Sequence, residues 1–176
     1  LAFIAAPTPL LNYEHKAEIY TIPVAGGRRH RLTDNDSPEM QARWSPCGKW
    51  IAYAANAKQD GTLQYVSLAR LFAVAVAGGK SYPLLTKSRV GITGLGADFA
   101  WDASGRSLFA LLDDGFNHRL VRVPLTEVQG QLSGGEPSDL YAGPHLMTMP
   151  SFDRATKSVA FALEGARYDY AYRTPQ

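Results

Sequence analysis

A serine nucleophile, a zinc cluster, a phosphate-gripping loop and a calcium loop each leave a characteristic spacing in a sequence. A serine on a strand-to-helix elbow reads Gly-x-Ser-x-Gly, and no such string occurs in these 176 residues. The nearest are Ser104-Gly105 and Ser133-Gly134-Gly135, where small residues read as turns. His15, His30, His118 and His145 are scattered. None stands at His-x-x-x-His or Cys-x-x-Cys spacing, so each is read as structural. Gly94-x-Gly96 has no strand–turn–helix unit around it, which argues against nucleotide binding. The "DND" of Asp34 to Asp36 lacks the full ligand spacing of a calcium loop. Asn35-Asp36-Ser37 has the form of a glycosylation acceptor, but Pro38 follows it, and it is discounted. Cys47 sits in a tight turn with no cationic helix end beside it, so it reads as an ordinary exposed thiol. The sequence therefore offers no catalytic, cofactor-binding or metal-ligating residue and calls for no cofactor.

Bulk properties narrow the classes. Hydrophobic residues make up 45% and charged residues 19%, the balance of a folded domain with a sizeable core. The net charge of +2 is too small to argue for nucleic acid. The densest basic run, "GRRHR" at residues 27–31, reads as a solvated turn and a charged sheet edge. One cysteine rules out an intrachain disulfide and is compatible with either a cytoplasmic or a periplasmic setting. No apolar run reaches the roughly 18 residues of a membrane helix.

The informative signal is repetition. "IYTIPVAGG", "LFAVAVAGG" and "LVRVPLTEVQG" begin at Ile19, Leu71 and Leu120, which are 52 and 49 residues apart. Trp44, Trp101 and Phe152 recur at 57 and 51. "HRLT", "PLLT" and "SDLY" follow in the corresponding places. Each unit is rich in aromatic and β-branched residues and punctuated by Gly and Pro, which favours strands and turns. About four strands in about 50 residues is the signature of a propeller blade.

From the hub outward the strands are A to D. Strand A ends in the aromatic residue: "QARWS", "DFAWD", "MPSFD". Strand B is "KWIAYAAN", "SLFALLDD" or "SVAFALEG", and "LAFIAA" at the start matches it. Strand C is the "IYTIPV" element, matched near the end by "YDYAYR". Strand D carries the Leu-Thr. In "KWIAYAAN", Trp50, Ala52 and Ala54 lie on one face and Ile51, Tyr53 and Ala55 on the other, so both faces must be covered. "SPCG" and "DASG" are the A–B hairpin turns, with Gly48 and Gly105 at positive φ; "DRAT" lacks the glycine. The fold class expected is all-β: a partial β-propeller, two complete four-stranded blades flanked by two incomplete ones. The units are residues 1–40, 41–96, 97–147 and 148–176 of one propeller domain. An open arc of this kind exposes apolar blade faces, which predicts self-association. The longest insertion, between Asn56 and Leu68, marks one rim as the entrance or partner surface.

"VAGGRRHRLTDND" and "ARWSPCGKWIAYAAN" resemble the TolB-like propeller repeat: a Gly-rich turn, Leu-Thr, then Trp-Ser-Pro-Asp-Gly and an apolar strand. The resemblance covers nearly the whole chain, and Cys47 stands where Asp is usual. Repeats of 49 to 57 residues look more like the amino-terminal propeller of the prolyl oligopeptidase family of serine peptidases than like TolB itself. That resemblance implies a non-catalytic gate for peptide substrates. The gate would sit over an α/β-hydrolase domain of the same parent chain, outside these residues. No Glu-Glu motif for holding a substrate amine is present, so no site residue is carried over. The alternative is a TolB-like periplasmic protein-binding scaffold.

Overall fold

In the computed structural model, residues 1–35, 37–64, 67–92, 99–153 and 158–164 are described. Fourteen strands are present among them. β1 (Ala2–Ala5), β2 (Glu18–Thr21) and β3 (His30–Arg31) form one antiparallel sheet. β4 (Glu39–Trp44), β5 (Trp50–Asn56), β6 (Ala69–Ala75) and β7 (Ser81–Pro83) form a complete four-stranded blade in sequential order. β8 (Phe99–Trp101), β9 (Ser107–Asp114) and β10 (Asn117–Val128) continue the pattern, with β11 (Gln131–Gly134) and β12 (Ser138–Ala142) both paired to β10. β13 (Leu146–Asp153) and β14 (Ser158–Glu164) make a final hairpin. This is a partial β-propeller of two complete and two incomplete blades. A 3-10 segment, Leu11–Lys16, links β1 to β2, and no helix among the described residues is long and apolar enough to cross a membrane.

The two-faced strand explains the stacking. Every residue of β5 before Asn56 is buried. Trp50, Ala52 and Ala54 join the core between the second and third blades, and Ile51, Tyr53 and Ala55 join the core between the first and second. β9 divides in the same way: Leu108, Ala110 and Leu112 face the second blade, and Leu111 faces the last hairpin. The recurring aromatic residue of strand A turns toward the preceding blade each time. Trp44 packs on the first seam. Trp101 packs on the second and donates its indole N–H to the Arg43 carbonyl at 3.0 Å. Phe152 stacks on Phe109 at 6.0 Å.

The A–B turns form as expected. Gly48 N–H donates to Ser45 O at 2.9 Å and Gly105 N–H to Asp102 O at 3.1 Å, and both glycines have φ of 70°. The "DRAT" turn lies partly, and "YDYAYR" wholly, outside the described residues. Two expectations need correction. The Leu-Thr pair follows strand D instead of lying on it: β3 ends at Arg31 and β7 at Pro83. Leu32 and Leu84 extend the ladder by single bonds to Ile19 and Leu71, and the chain then leaves for the next blade. The "VQG" of the third unit is also not a blade-ending turn like "AGG". Gln129 and Gly130 both have positive φ, so they form a two-residue primed turn. That turn closes an extra hairpin of β10 and β11, and Val128 pairs with Gln131.

This hairpin leans back over the second blade. Leu132 is buried in the shared core, and Glu127 accepts the Trp50 indole N–H at 3.2 Å. A Cβ built on Gly134 would lie 1.8 Å from the Leu84 carbonyl oxygen, a backbone clash that no rotamer relieves. Gly134→Ala is therefore expected to lower stability by about 2 kcal/mol or more in urea denaturation followed by tryptophan fluorescence. An unchanged midpoint would mean that the hairpin does not pack on the second blade.

Candidate functional site: the crossover rim and the hub cavity

A charged residue near the start of strand C recurs at one place in three blades: Glu18, Arg70 and Arg119. All three lie under the rim that carries the B–C loops and the D–A crossovers. Each uses its charge to hold what lies above it.

In the first blade Glu18 is 2% exposed. It accepts the Arg31 guanidinium at 2.8 Å and the Asn35 backbone N–H at 2.7 Å. Glu39, at the start of β4, is 4% exposed. It accepts the Thr33 hydroxyl at 2.6 Å and the Asn35 side-chain amide at 2.7 Å. Thr33 in turn accepts the Ile19 N–H at 2.8 Å, so the network stitches strand C of one blade to strand A of the next. Burial raises the Glu39 carboxyl from 4.5 to about 7, against the lowering effect of the Thr33 and Asn35 hydrogen bonds; the Glu18 charge adds to the rise.

In the second blade Arg70 is 4% exposed, and no carboxylate among the described residues lies at hydrogen-bond distance from it. Its guanidinium is caged by carbonyl oxygens: Ala57 at 3.2 Å, Leu85 at 3.2 Å, Ser88 at 2.9 Å, Arg89 at 3.1 Å and Val90 at 3.5 Å. Burial lowers its pKa, opposed by the charge of Asp60. In the third blade Arg119 grips Asp139 of β12 at 2.6 Å and lies 3.8 Å from Asp114.

The insertion after Asn56 folds back on this rim. Lys58 N–H donates to Thr62 O at 2.9 Å, and Gln59 reaches the Thr86 carbonyl at 3.4 Å. Lys58, Gln59, Asp60 and Thr86 border a concavity of about 470 Å³. At the hub, β4 and β13 each carry a bulge that sets two residues against one, at Gln41-Ala42 and Met149-Pro150. Gln41 has φ of 50°, a conformation uncommon outside glycine that often marks a re-aimed side chain. Gln41, Arg43, Ala100, Pro150 and Ser151 converge on a cavity of about 250 Å³ between the innermost strands.

Other residues singled out in the sequence lie elsewhere. The basic run sits at and beside the edge strand β3, where Arg31 is held by Glu18 and Asp34 and Arg29 lies 4.8 Å over the Tyr20 ring. Asp36 is outside the described residues, and among the described residues no three His, Cys, Asp or Glu side chains converge on a metal site. Cys47 is exposed, its thiol pKa lowered chiefly by the Ser45 hydroxyl. His118 and His145, far apart in sequence, meet at the third seam. His118 N–H donates to His145 O at 3.0 Å, and its imidazole spans Asp113 at 3.2 Å and the Met147 backbone. His145 meets the Tyr141 hydroxyl at 3.0 Å. These contacts join the last hairpin to the third blade.

Blades stacked about an axis, with a charged rim and a hub cavity, define a segment of a β-propeller. Among solved structures, a TolB from Agrobacterium tumefaciens matches 94% of this chain with a TM-score of 0.62 at 17% identity, so the fold is TolB-like. A TolB from Acinetobacter baumannii aligns over 91% of the chain at 11% identity and a TM-score of 0.41. The chain spans about half of each, 51% and 46%. No protein-family model and no curated protein matches the sequence. This fold likeness supports a propeller scaffold and gives no support to the serine-peptidase parentage expected from the repeats.

Two measurements test the buried charges. A carboxyl whose folded pKa lies above its unfolded value binds more protons when folded, so its contribution is greatest below about pH 4.5 and declines as pH rises to about 7. The loss across that window is roughly 3 kcal/mol. Glu39→Gln should flatten this part of the stability–pH profile relative to wild type; parallel profiles would refute the assignment. Arg70→Met leaves the crossover carbonyls without their donor and should cost roughly 3 kcal/mol. Hydrogen exchange should quicken at the Leu84 and Ile92 amides, which bracket the loop. Unchanged exchange there would show that the cage is not what holds it.

Proposed function

We propose that this chain is part of a non-catalytic propeller scaffold that engages another protein on the rim of B–C loops and D–A crossovers. The observation that carries the reading is the placement of Glu18, Arg70 and Arg119 beneath one rim. Glu18 and Arg70 bury a charge that holds the crossovers above them, and Arg119 pairs with Asp139 and Asp114 at the same level of the third blade. Loops on a rigid sheet scaffold are where binding surfaces are built. The TolB-like fold supports the scaffold class. The finer reading, a gate over a serine-peptidase domain of the parent chain with a peptide as its substrate, rests on the repeat length and on the likeness of "FNHRLVRVPL" at residues 116–125 to a blade of that family.

Site-specific photo-crosslinking in the full-length protein tests the scaffold. A benzoyl-phenylalanine at Gln59 or Lys87 on the rim should trap a discrete protein partner, and one at Lys80 on the opposite side should not. Adducts confined to Lys80 would overturn the rim assignment. Fluorophosphonate labelling of the same protein separates the two classes: a labelled serine outside these residues would replace the scaffold by the peptidase gate.

A further inference from the structure

Glu18 and Arg70 occupy the same place in successive blades with opposite charge, and the crossovers above them turn opposite ways. The anion of Glu18 draws a backbone N–H inward, that of Asn35. The cation of Arg70 draws carbonyls inward, those of Leu85, Ser88, Arg89 and Val90. Backbone donors and acceptors must both find partners. With its carbonyls spent, the second crossover keeps unused donors: among the described residues, no acceptor meets the N–H groups of Lys87, Ser88 or Arg89. Lys87 and Arg89 are exposed, and no described carboxylate lies within ion-pair distance of either. The three residues line one wall of a cavity of about 300 Å³. On the far wall the Arg119 charge is already held by Asp139 and Asp114.

We propose that the crossover at residues 86–90 is a carboxylate-binding site for an acidic segment of a partner protein. Main-chain N–H donors flanked by an ammonium and a guanidinium match a carboxylate, which the guanidinium can grip with two parallel bonds. Asp114 and Glu136 also border the cavity, and their charge disfavours a doubly charged phosphate more than a singly charged carboxylate. The first crossover is the internal contrast. Its loop presents Asp34, whose side chain is 86% exposed, above an inward-turned amide. The cation at that crossover, Arg31, is paired by Glu18 and Asp34, whereas Lys87 and Arg89 have no such partner among the described residues. The proposal rests on the scaffold reading and specifies what the rim grips.

The test is a ¹⁵N-resolved titration of the full-length protein with hexaglutamate, and separately with inorganic phosphate, at constant ionic strength. Hexaglutamate should shift the Lys87, Ser88 and Arg89 amides saturably. The pair Lys87→Ala and Arg89→Ala should weaken binding about fivefold or more, whereas Arg28→Ala with Arg29→Ala at the β3 edge should leave it unchanged. Both pairs replace exposed side chains, so folding is preserved. Unmoved amides, equal loss in the two variant pairs, or tighter binding of phosphate than of hexaglutamate would each overturn the proposal. Hexaglutamate binding elsewhere on the molecule would remove this site and leave the scaffold reading standing.

Discussion

Side chains leave β5 toward both faces of its sheet, and water reaches almost none of them. A strand of that kind cannot be the surface of anything. It needs an apolar neighbour on each side, and the chain supplies both: β1 and β2 of the first blade against Ile51, Tyr53 and Ala55, and β8 to β10 of the third against Trp50, Ala52 and Ala54. β9 repeats the demand and is answered in part by β13 and β14. Stacking about an axis is the arrangement in which every central sheet is covered twice, and the turns, crossovers and hub strands are placed by it.

Such seams leave little room for polar groups, so those present are held closely. The indoles of Trp50 and Trp101 each reach across a seam to an acceptor. Glu18 and Glu39 share Asn35. The Tyr53 hydroxyl is the exception among the described residues: it is buried with no hydrogen-bond partner, and burial drives its pKa well above the usual phenol range. The seams are thus apolar in the middle and polar toward the rim. That gradient places the buried charges and their hydrogen bonds directly beneath the rim loops.

Much of this was legible in the sequence because period and repeat act together. The alternation in "KWIAYAAN" gave both faces of β5, and its glycine-ended turn predicted the A–B hairpin. The misses have physical reasons. "LVRVPLTEVQG" was aligned with the "AGG" turns, although Gln129-Gly130 between two short strand runs is itself a hairpin signal. The histidines read as structural from sequence spacing, and what spacing does not encode is where they meet: His118 N–H donates to the His145 carbonyl where the last hairpin joins the third blade. Glu18, Arg70 and Arg119 were overlooked because a lone charge at a strand start reads as solvated. Only the alignment of the repeats shows that they share one position, and only burial shows that two of them are inside.

Arg70 has a consequence for how such a protein diverges. Repeats copied from a common unit usually acquire new surfaces by changes in the residues that face outward. Here the charge at one buried position reverses which backbone groups a loop turns inward, an amide N–H over Glu18 and carbonyls over Arg70. A lineage could therefore alter the polarity of one rim segment from beneath, blade by blade. The same lever lies open to protein engineers: a graded series of propellers with identical visible loops and different main-chain groups turned to the solvent.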